Sequence, residues 1–473
     1  MYKKSTPPFH LNVQFSLVVT TLFLIIFSKF SFSQNSYYYG NIHSHSSYSD
    51  GNKDSASNGI TLPLDNYNFG KASANFDFLG ISEHNHSGAG MSKPNYYKGI
   101  VQASAANSDN NFVALYGMEW GVISKGGHVL IYGIDSLIGW EGGDYDIYNS
   151  RTNYRTLFKK ITQFPGAFAC LAHPDWGDYN NLAYTAYDSV ADKAIVGMAM
   201  RSGPAFSNNI TYSNPDYGDY EAYYKLLLAN GYHLAPGIDH DNHYLTFGRM
   251  CKARTVVFAN SLTRSDIMNA YENMHFYASD DWNCKVKFEI AYHPMGSTIT
   301  KAGNPSLYLN VDDADGESVD SVRIMYGVPG SQLPPQQLNF TNSATVVYTH
   351  AIQNLDSYYY YAVITQADGD KIWTAPLWYN RNDLVSVDAK EKNTSIAIYP
   401  NPSNGRVTIL FNENVDNLKT VKIYNYSGQE VYSEKIDKGI DSKAVDLESF
   451  DKGLYTVVVY SENASYKKNI IIQ

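Results

Sequence analysis

Residues 37–282 alternate short apolar runs with amphipathic stretches. Runs such as Phe112–Tyr116 and Ala167–Ala172 have the length and composition of buried strands. Among the amphipathic stretches, a helix is predicted from an N-cap at Asp219 to a stop at Gly231. Strands that alternate with helices over this length predict an α/β fold, either a barrel or a doubly wound sheet.

The pattern changes after Cys284. Residues 285–384 alternate apolar and polar side chains between Asp- and Gly-rich turns, which is typical of a β-sandwich. Residues 385–394 are polar and suit a linker, and residues 395–473 have the pattern of a second small β domain. A chain of 473 residues is also too long for one ordinary core. We therefore expect several domains, with the α/β domain at residues 34–284.

The first 33 residues are typical of a secretory signal peptide. Lys3 and Lys4 precede an apolar run at Phe15–Phe27, and Ser31–Ser33 offers a small-x-small cleavage site. The run is shorter than the ~20 residues that a membrane-spanning helix needs. The sequence therefore predicts a secreted chain with no transmembrane span.

The net charge of -10 argues against a nucleic-acid coat protein or a binder of anionic membranes, since both need a basic face. It does not exclude a phosphorylated substrate, because bound metal ions supply positive charge locally. The three cysteines are too few for a disulfide framework and lack zinc-type spacing.

The strongest chemical signal is the segment Asn41–Gly51. His43 and His45 are two residues apart, so on an extended segment both side chains point the same way and can reach one metal ion. Asp50 follows five residues later, and Gly51 permits the turn that brings it back.

Further segments place a histidine or a carboxylate beside an apolar run. They are Leu79–His84, Gly117–Glu119, the strand ends at His128 and His173, and Pro236–His243. In a barrel, side chains at the ends of different strands converge on one mouth. Imidazoles and carboxylates that share a site stay unsatisfied or repel one another without a cation, so the sequence predicts a metal site. His86, His233 and His275 follow no such pattern and receive no role.

These motifs, in this order, resemble those of the PHP family, named for polymerase and histidinol phosphatase. The matching pattern is His-x-His-Ser-x-x-Ser-Asp-Gly at residues 43–51, then Ser-Glu-His, Gly-Met-Glu, a lone histidine, Ala-His-Pro and Asp-Asn-His. The resemblance covers about residues 37–282 and implies a distorted (β/α)7 barrel. It also implies two or three divalent ions, commonly zinc, manganese or iron.

The resemblance assigns ligands to three ions. The first ion would take His43, His45, Glu119 and Asp241; the second would take Glu119, His128 and His173; the third would take Asp50, His84 and His243. The late motif is ambiguous, because Asp239 and His240 compete with Asp241 and His243, and the Asp-x-His spacing favours the later pair. Glu83 stands where the family usually has Asp.

The expected function is a metal-dependent hydrolase of the phosphoesterase kind, acting through a metal-activated water on phosphomonoesters or phosphodiesters. Glu119 and Asp241 would belong to its catalytic machinery, and Arg201 or Arg249 could clamp a phosphate oxygen. The alternatives are a carbamate, carboxylic ester or amide hydrolase on the same barrel, and a non-catalytic surface-binding protein. The last would predict missing ligands, whereas every ligand segment here is filled.

Residues 395–473 contain Tyr399-Pro400-Asn401-Pro402 and later Gly453-Leu454-Tyr455, and they resemble the sorting domain of the type IX secretion system. The resemblance implies that this segment engages the type IX machinery. The chain would be exported through the periplasm and the outer membrane, to be released or attached to the cell surface. The β-sandwich at residues 285–384 could cover the barrel mouth or space the barrel from the cell.

Overall fold

The computed structural model describes residues 36–73, 76–203, 205–208, 218–383, 396–411, 418–425, 429–437, 439–461 and 465–473. The predicted signal peptide at 1–33 and linker at 385–394 lie outside these residues.

The N-terminal part of the chain folds as an α/β domain. Its strands are β1 Ser36–Asn41, β2 Phe78–His84, β3 Val113–Val122, β4 Gly127–Tyr132, β5 Ile138–Gly139, β6 Ile147–Tyr148, β7 Phe168–Ala172, β8 Ile195–Ser202, β9 Gly218–Asp219, β10 Ala235–Asp239, β11 Arg254–Ala259 and β12 Phe276–Ser279. Its helices are α1 Ser55–Asn58, α2 Pro63–Ser73, α3 Lys93–Ala106, α4 Tyr154–Ile161, α5 Asp178–Asn181, α6 Ser189–Ala194, α7 Glu221–Asn230 and α8 Arg264–Glu272, with 3-10 turns at Ser87–Ala89 and Ile123–Lys125.

The main sheet of this domain runs in the order β10-β8-β7-β4-β3-β2-β1-β11-β12. The pairs β10–β8, β8–β7, β3–β2 and β2–β1 are parallel, and the other four pairs are antiparallel. The sheet curls back on itself. This is shown by a contact between β10 and β11, where the backbone N–H of Ile238 donates to Thr255 Oγ1 at 2.8 Å. Strand ends that are far apart in the sheet order therefore lie near one another.

The sheet departs from the regular βα alternation that a (β/α)7 barrel implies. β3 and β4 form an antiparallel hairpin through the short turn at Ile123–Lys125, with no crossover helix. Gly126 and Gly127 follow this turn at φ 122° and 89°, a backbone region that costs little only for glycine. The Gly-Gly pair is a turn signal that permits the chain to reverse here.

The helices pack by one face each, as their sequences require. In α4, Leu157, Phe158 and Ile161 are buried at the helical spacing. The predicted helix at Asp219–Gly231 is present as α7, and its first turn begins at Glu221. The N-cap is Tyr220 and not the predicted Asp219, which lies one residue earlier and whose Oδ1 accepts from the Glu221 N–H at 3.0 Å. Gly231 ends the helix at φ 101°.

Residues 285–383 form a β domain with two facing sheets. Its strands are β13 Lys285–Ile290, β14 His293–Pro294, β15 Thr298–Lys301, β16 Ser306–Asp312, β17 Val319–Gly327, β18 Gln336–Thr341, β19 Thr345–Thr349, β20 Ser357–Gln366, β21 Lys371–Trp373 and β22 Leu377–Arg381. One sheet has the order β14-β13-β16-β19, and β21-β20-β17-β18 continues the main sheet. Phe288 and Leu309 from one sheet share a core with Ile324 from the other.

The α/β domain and the β domain that follows the expected boundary at residue 284 are in direct contact. β21 pairs with β12 of the α/β domain, so that Ala278 lies opposite Trp373. Trp373 is fully buried in the core that also holds Leu227 of α7. The α/β domain and the first β domain therefore share one continuous sheet and one packed interface.

The C-terminal residues form a small β domain with its own core. Its strands are β23 Ile396–Tyr399, β24 Arg406–Phe411, β25 Leu418–Tyr424, β26 Glu430–Glu434, β27 Ser442–Asp446, β28 Gly453–Ser461 and β29 Ser465–Ile472. They make a three-stranded sheet, β23-β24-β27, and a four-stranded sheet, β26-β25-β28-β29. Within the part of the chain that the structure describes, no helix is long and apolar enough to span a membrane.

Candidate metal centre

The side chains of the candidate centre are delivered by the ends of neighbouring strands. His43 and His45 follow β1, His84 ends β2, and Glu119 lies directly opposite His84 on β3. His128 lies on β4 beside Ala172, the last residue of β7 and the neighbour of His173. After β10, the backbone N–H of His45 donates to Asn242 O at 2.9 Å, which holds the Asp241–His243 segment against the first histidine motif.

Glu119 is the centre of the cluster. It is fully buried, and its two oxygens lie within hydrogen-bonding distance of five histidines. Oε1 lies 2.7 Å from His128 Nδ1, 3.0 Å from His173 Nε2 and 3.1 Å from His43 Nε2, while Oε2 lies 3.0 Å from His84 Nδ1 and 3.3 Å from His45 Nε2. Burial opposes ionisation, but the imidazoles, His128 first, hold the pKa of the Glu119 carboxyl well below its usual range.

Among the described residues around Glu119, three groups of ligand atoms lie close enough to hold an ion, with all atoms of a group within 4.8 Å of one another. The groups are His43, His45, Glu119 and Asp241; His84, Glu119 and His128; and His45, Asp50, His84 and His243. The first group is the set assigned to the first ion from the sequence. The third group contains the predicted Asp50, His84 and His243 and adds His45.

The second predicted set, Glu119, His128 and His173, differs slightly from the observed grouping. The structure gathers His84 with Glu119 and His128. His173 still lies beside them, with Nε2 at 3.4 Å from His128 Nδ1. His173 has φ 28°, a backbone conformation that is uncommon for a residue with a side chain. The assignment of His173 to an ion stays a prediction.

The donor set fits divalent transition metals. Buried atoms of the cluster, including His43 Nε2, His84 Nδ1 and Glu119 Oε2, have no hydrogen-bond partner although other polar atoms lie about them. His43 Nε2 is 3.1 Å from Glu119 Oε1 and 3.2 Å from Asp241 Oδ1 without hydrogen-bond geometry. Ligand atoms that lie this close together without a hydrogen bond could share an ion instead. Imidazole nitrogens with carboxylate oxygens suit zinc, iron and manganese.

Protons on some of the histidines offset part of the negative charge of the cluster when no metal is bound. Burial disfavours charged histidines, but hydrogen bonds to Asp241 and Glu119 raise the pKa of His45 to about 9. The Asp241 and Glu119 carboxylates also raise the pKa of His43 well above its usual value. A dication would take the place of these protons.

The structure separates the two competing pairs of the late motif. Asp241 and His243 lie in the cluster: Asp241 Oδ1 is 3.0 Å from His45 Nε2, and His243 Nε2 is 3.3 Å from Asp50 Oδ1. Asp239 lies behind His43, with Oδ2 at 3.1 Å from Nδ1, the ring nitrogen that faces away from Glu119. A carboxylate in this position fixes the tautomer and orientation of a ligating histidine.

His240 points away from the cluster. Its Nε2 lies 2.7 Å from the backbone oxygen of Ala253, and its ring packs against Phe76. Burial, with the nearby charge of Arg254, lowers the pKa of His240 to about 3, so the imidazole is neutral.

Sequence reasoning missed the role of Glu83. The carboxylate is fully buried and accepts hydrogen bonds from the backbone N–H of Ser46 and from the hydroxyls of Ser46 and Ser49. These bonds hold the loop that carries His45 and Asp50. The donors lie on a loop far from Glu83 in sequence, so no local pattern could have revealed the contact.

The rim of the cluster carries aromatic and basic side chains. The Phe206 ring lies 4.5 Å from the His243 ring, and Lys53 Nζ lies 3.5 Å from Asp50 Oδ2. His86, which received no role from sequence, lies 5.6 Å from the His84 ring and 5.7 Å from Trp140 between ring centroids. It therefore belongs to the rim, whereas the other two unassigned histidines contact Asp192 (His233) and Phe258 (His275).

The two arginines considered as phosphate clamps have other neighbours. Arg201 Nε lies 3.2 Å from Asp280 Oδ1, and the guanidinium stacks 5.0 Å above the Trp373 ring. Arg201 thus joins the end of β8 to the first β domain. Arg249 is half-buried on the loop after His243. A contact of either arginine with substrate stays a prediction.

The comparisons with known proteins concern different parts of the chain. Residues 397–473 match the family model of the secretion system C-terminal sorting domain, which confirms the predicted sorting domain. Two uncharacterized proteins, from Chlamydia muridarum and Chlamydia trachomatis, are 24% identical over 191 residues, 37% of this chain. The match spans only 30% of the length of each of these relatives.

Two of the solved structures that resemble the chain do so at low similarity. One is a two-domain protein from Bacteroides vulgatus that contains a predicted PHP-like metal-dependent phosphoesterase. It is 14% identical, covers 69% of this chain and 91% of its own, and has a TM-score of 0.35. The other is the lesion-specific endonuclease EndoQ from Pyrococcus furiosus, 11% identical over 50% of this chain and 56% of its own, with a TM-score of 0.31.

We expect Glu119→Gln to be among the most damaging single substitutions. Glutamine keeps the shape of the side chain but removes the negative charge of the carboxylate that the neighbouring ion groups share. Metal content should therefore fall by about one equivalent and kcat by roughly 100-fold or more. Metal analysis and steady-state kinetics measure both effects. Glu289→Gln on β13, whose carboxylate lies 3.1 Å from Lys287, is the matched control and should be silent. Equal losses in the two variants would place the centre elsewhere.

We also expect metal affinity to rise with pH up to about 9. Below that pH the metal-free His45 is protonated, and it must lose its proton to bind a metal. With His43 protonated as well, about two protons per chain should be released on zinc binding at pH 7.5. Calorimetry in buffers of different ionisation enthalpy measures this number, and Asp241→Asn should reduce it. Zinc binding that is independent of pH between 6 and 9 would contradict the protonated cluster.

Proposed function

We propose that the protein is a secreted metal-dependent hydrolase that acts on phosphoesters. The observation that carries the proposal is the position of Glu119, whose carboxylate contacts histidines from every candidate ion group. A buried carboxylate shared in this way suits the bridge between two ions. When bound, divalent ions lower the pKa of a coordinated water and neutralise charge that develops on the scissile group.

The chain's own residues would hold and orient this centre. His43, His45 and Asp241 would hold one ion with Glu119; His128 and His173 would complete the next site; Asp50, His84 and His243 would complete a third. Asp239 would keep His43 Nε2 free to ligate by holding Nδ1, and Glu83 would hold the Ser46–Ser49 loop in place. The strand ends would then form the mouth of a distorted barrel.

The positive charge of a lysine beside the cluster favours a phosphoester over an uncharged ester as the substrate. Lys53 is half-exposed beside Asp50, and its ammonium lies 5.4 Å above the Phe206 ring. It is thus a positive side chain at the edge of the centre, within reach of an anion bound there. A phosphate monoester carries the charge that such a lysine would stabilise, whereas a carboxylic ester does not.

The sorting domain supports export of the chain through the type IX secretion system. We propose that residues 395–473 address the chain to this machinery and that the hydrolase acts outside the outer membrane. An extracellular phosphoesterase would release phosphate or nucleosides from small phosphorylated compounds.

A panel of chromogenic substrates tests the proposed activity. We expect the zinc-, manganese- or iron-loaded protein to hydrolyse p-nitrophenyl phosphate or bis(p-nitrophenyl) phosphate at least tenfold faster than p-nitrophenyl acetate. Lys53→Met should raise KM for the phosphomonoester about tenfold, the loss of one charged hydrogen bond. Lys71→Met, at the exposed end of α2, is the control and should change nothing. Faster cleavage of the carboxylic ester would favour the ester-hydrolase alternative instead.

A further inference from the structure

A second group of acidic side chains lies at the junction of the α/β domain and the first β domain. Asp281 follows β12, Asp313 and Glu317 lie between β16 and β17, and one oxygen from each lies within 4.8 Å of the other two. Oxygen ligands around one Ca²⁺ at about 2.4 Å cannot be more than about 4.8 Å apart. The spacing therefore fits a single calcium ion.

Gln366 is an independent indication of a ligand at this position. It ends β20 and is only 1% exposed. Its amide lies in the cluster, with Nε2 at 3.1 Å from Asp313 Oδ2 and 3.4 Å from Glu317 Oε2. Its Oε1 is buried and has no hydrogen-bond partner. A buried amide oxygen without a partner is costly, and a cation is a partner that would satisfy it.

Backbone N–H groups fix the positions of two of the three carboxylates. Asp281 is 1% exposed, and its Oδ1 accepts from the backbone N–H groups of Asn283 and Cys284 at 2.6 and 2.9 Å. Asp313 Oδ1 accepts from the Glu317 N–H at 3.0 Å, which closes the loop around Gly316 at φ 81°. The Gln366 amide N–H groups and the charge of Lys252 offset part of the repulsion among the three carboxylates, and a cation bound among them would offset the rest.

We propose that Asp281, Asp313, Glu317 and the Gln366 side-chain oxygen form a structural calcium site that joins the two domains. All donors are oxygens and none is a histidine or cysteine, which favours a hard cation over zinc. Gln366 would turn its amide so that Oε1 faces the ion, and the ion would replace the two hydrogen bonds that Nε2 donates to Asp313 and Glu317. Extracellular modules bind Ca²⁺ with Kd values of about 0.1–1 mM, so an exported chain would meet enough calcium to fill the site.

The ion would link three segments of the chain: the residues after β12, the loop between β16 and β17, and the end of β20. Asp281 belongs to the exit from the last strand of the α/β domain, and the other ligands belong to the β domain. The site therefore lies where β12 and β21 pair across the domain junction. Its function would be to fix this junction, apart from the catalytic centre and independent of it.

The test is calcium titration of the full-length protein after its histidine centre has been saturated with zinc and free zinc removed. We expect one Ca²⁺ per chain by calorimetry and a rise in Tm of about 2–5 °C at a 100-fold excess over Kd. Asp313→Asn should weaken calcium binding at least tenfold. Asp315→Asn is the matched control in the same loop, because Asp315 is bonded instead to Trp282 and Asn283, and it should change Kd less than threefold.

Two further variants separate ligation from packing. Glu317→Gln removes a half-buried ligand charge and serves if Asp313→Asn does not fold. Gln366→Glu adds an anionic oxygen and should tighten calcium binding, an effect that a purely structural glutamine would not produce. Absence of calcium binding in the wild type, unchanged affinity in Asp313→Asn and Glu317→Gln, or equal loss in Asp315→Asn would overturn the proposal.

Discussion

The structure depends on one buried carboxylate that is surrounded by imidazoles. Glu119 is fully buried, and five histidines approach its two oxygens. A lone buried carboxylate would be strongly unfavourable, and so would the buried histidines without an anion. The carboxylate and the histidines can be buried together because each offsets the charge of the other. The arrangement is stable only with positive charge among the ligands, which protons or divalent ions supply.

The fold supplies the positions that this cluster requires. Because the sheet curls, the ends of β1, β2, β7 and β10 meet, and β3 and β4 pass beside them. Behind the cluster, Asp239 and Glu83 hold a histidine and a loop, so the ligands are oriented before any ion binds. The first β domain extends the same sheet and buries Trp373 against the α/β core. The centre therefore lies in an α/β domain that shares its sheet and its core with the first β domain.

Local patterns in the sequence predicted part of this arrangement. The strands near Phe112–Tyr116 and Ala167–Ala172 and the helix that ends at Gly231 could be predicted, because their apolar spacing and end residues are local signals. The His43–Gly51 motif indicated a metal site because two-residue spacing on an extended segment aligns side chains. The structure brings the predicted ligands together, while their assignment to particular ions stays a prediction.

Long-range contacts could not be predicted in the same way. The pairing of β12 with β21 and the hydrogen bonds from the Ser46–Ser49 loop to Glu83 join residues far apart in the chain. The hairpin of β3 and β4 had a local signal in Gly126-Gly127, but a regular βα repeat implied a crossover instead. His86 has no ligand spacing, yet tertiary packing places it beside His84. In each case contacts between distant residues determined the structure, and local sequence patterns did not specify those contacts.

We propose that the buried histidines and carboxylates form a centre for several metal ions. Metal analysis of the purified wild-type protein, after expression with zinc, manganese and iron, tests it most directly. We expect two to three equivalents of transition metal per chain, retained through gel filtration and removed by a chelator. Less than one equivalent in folded protein would contradict it.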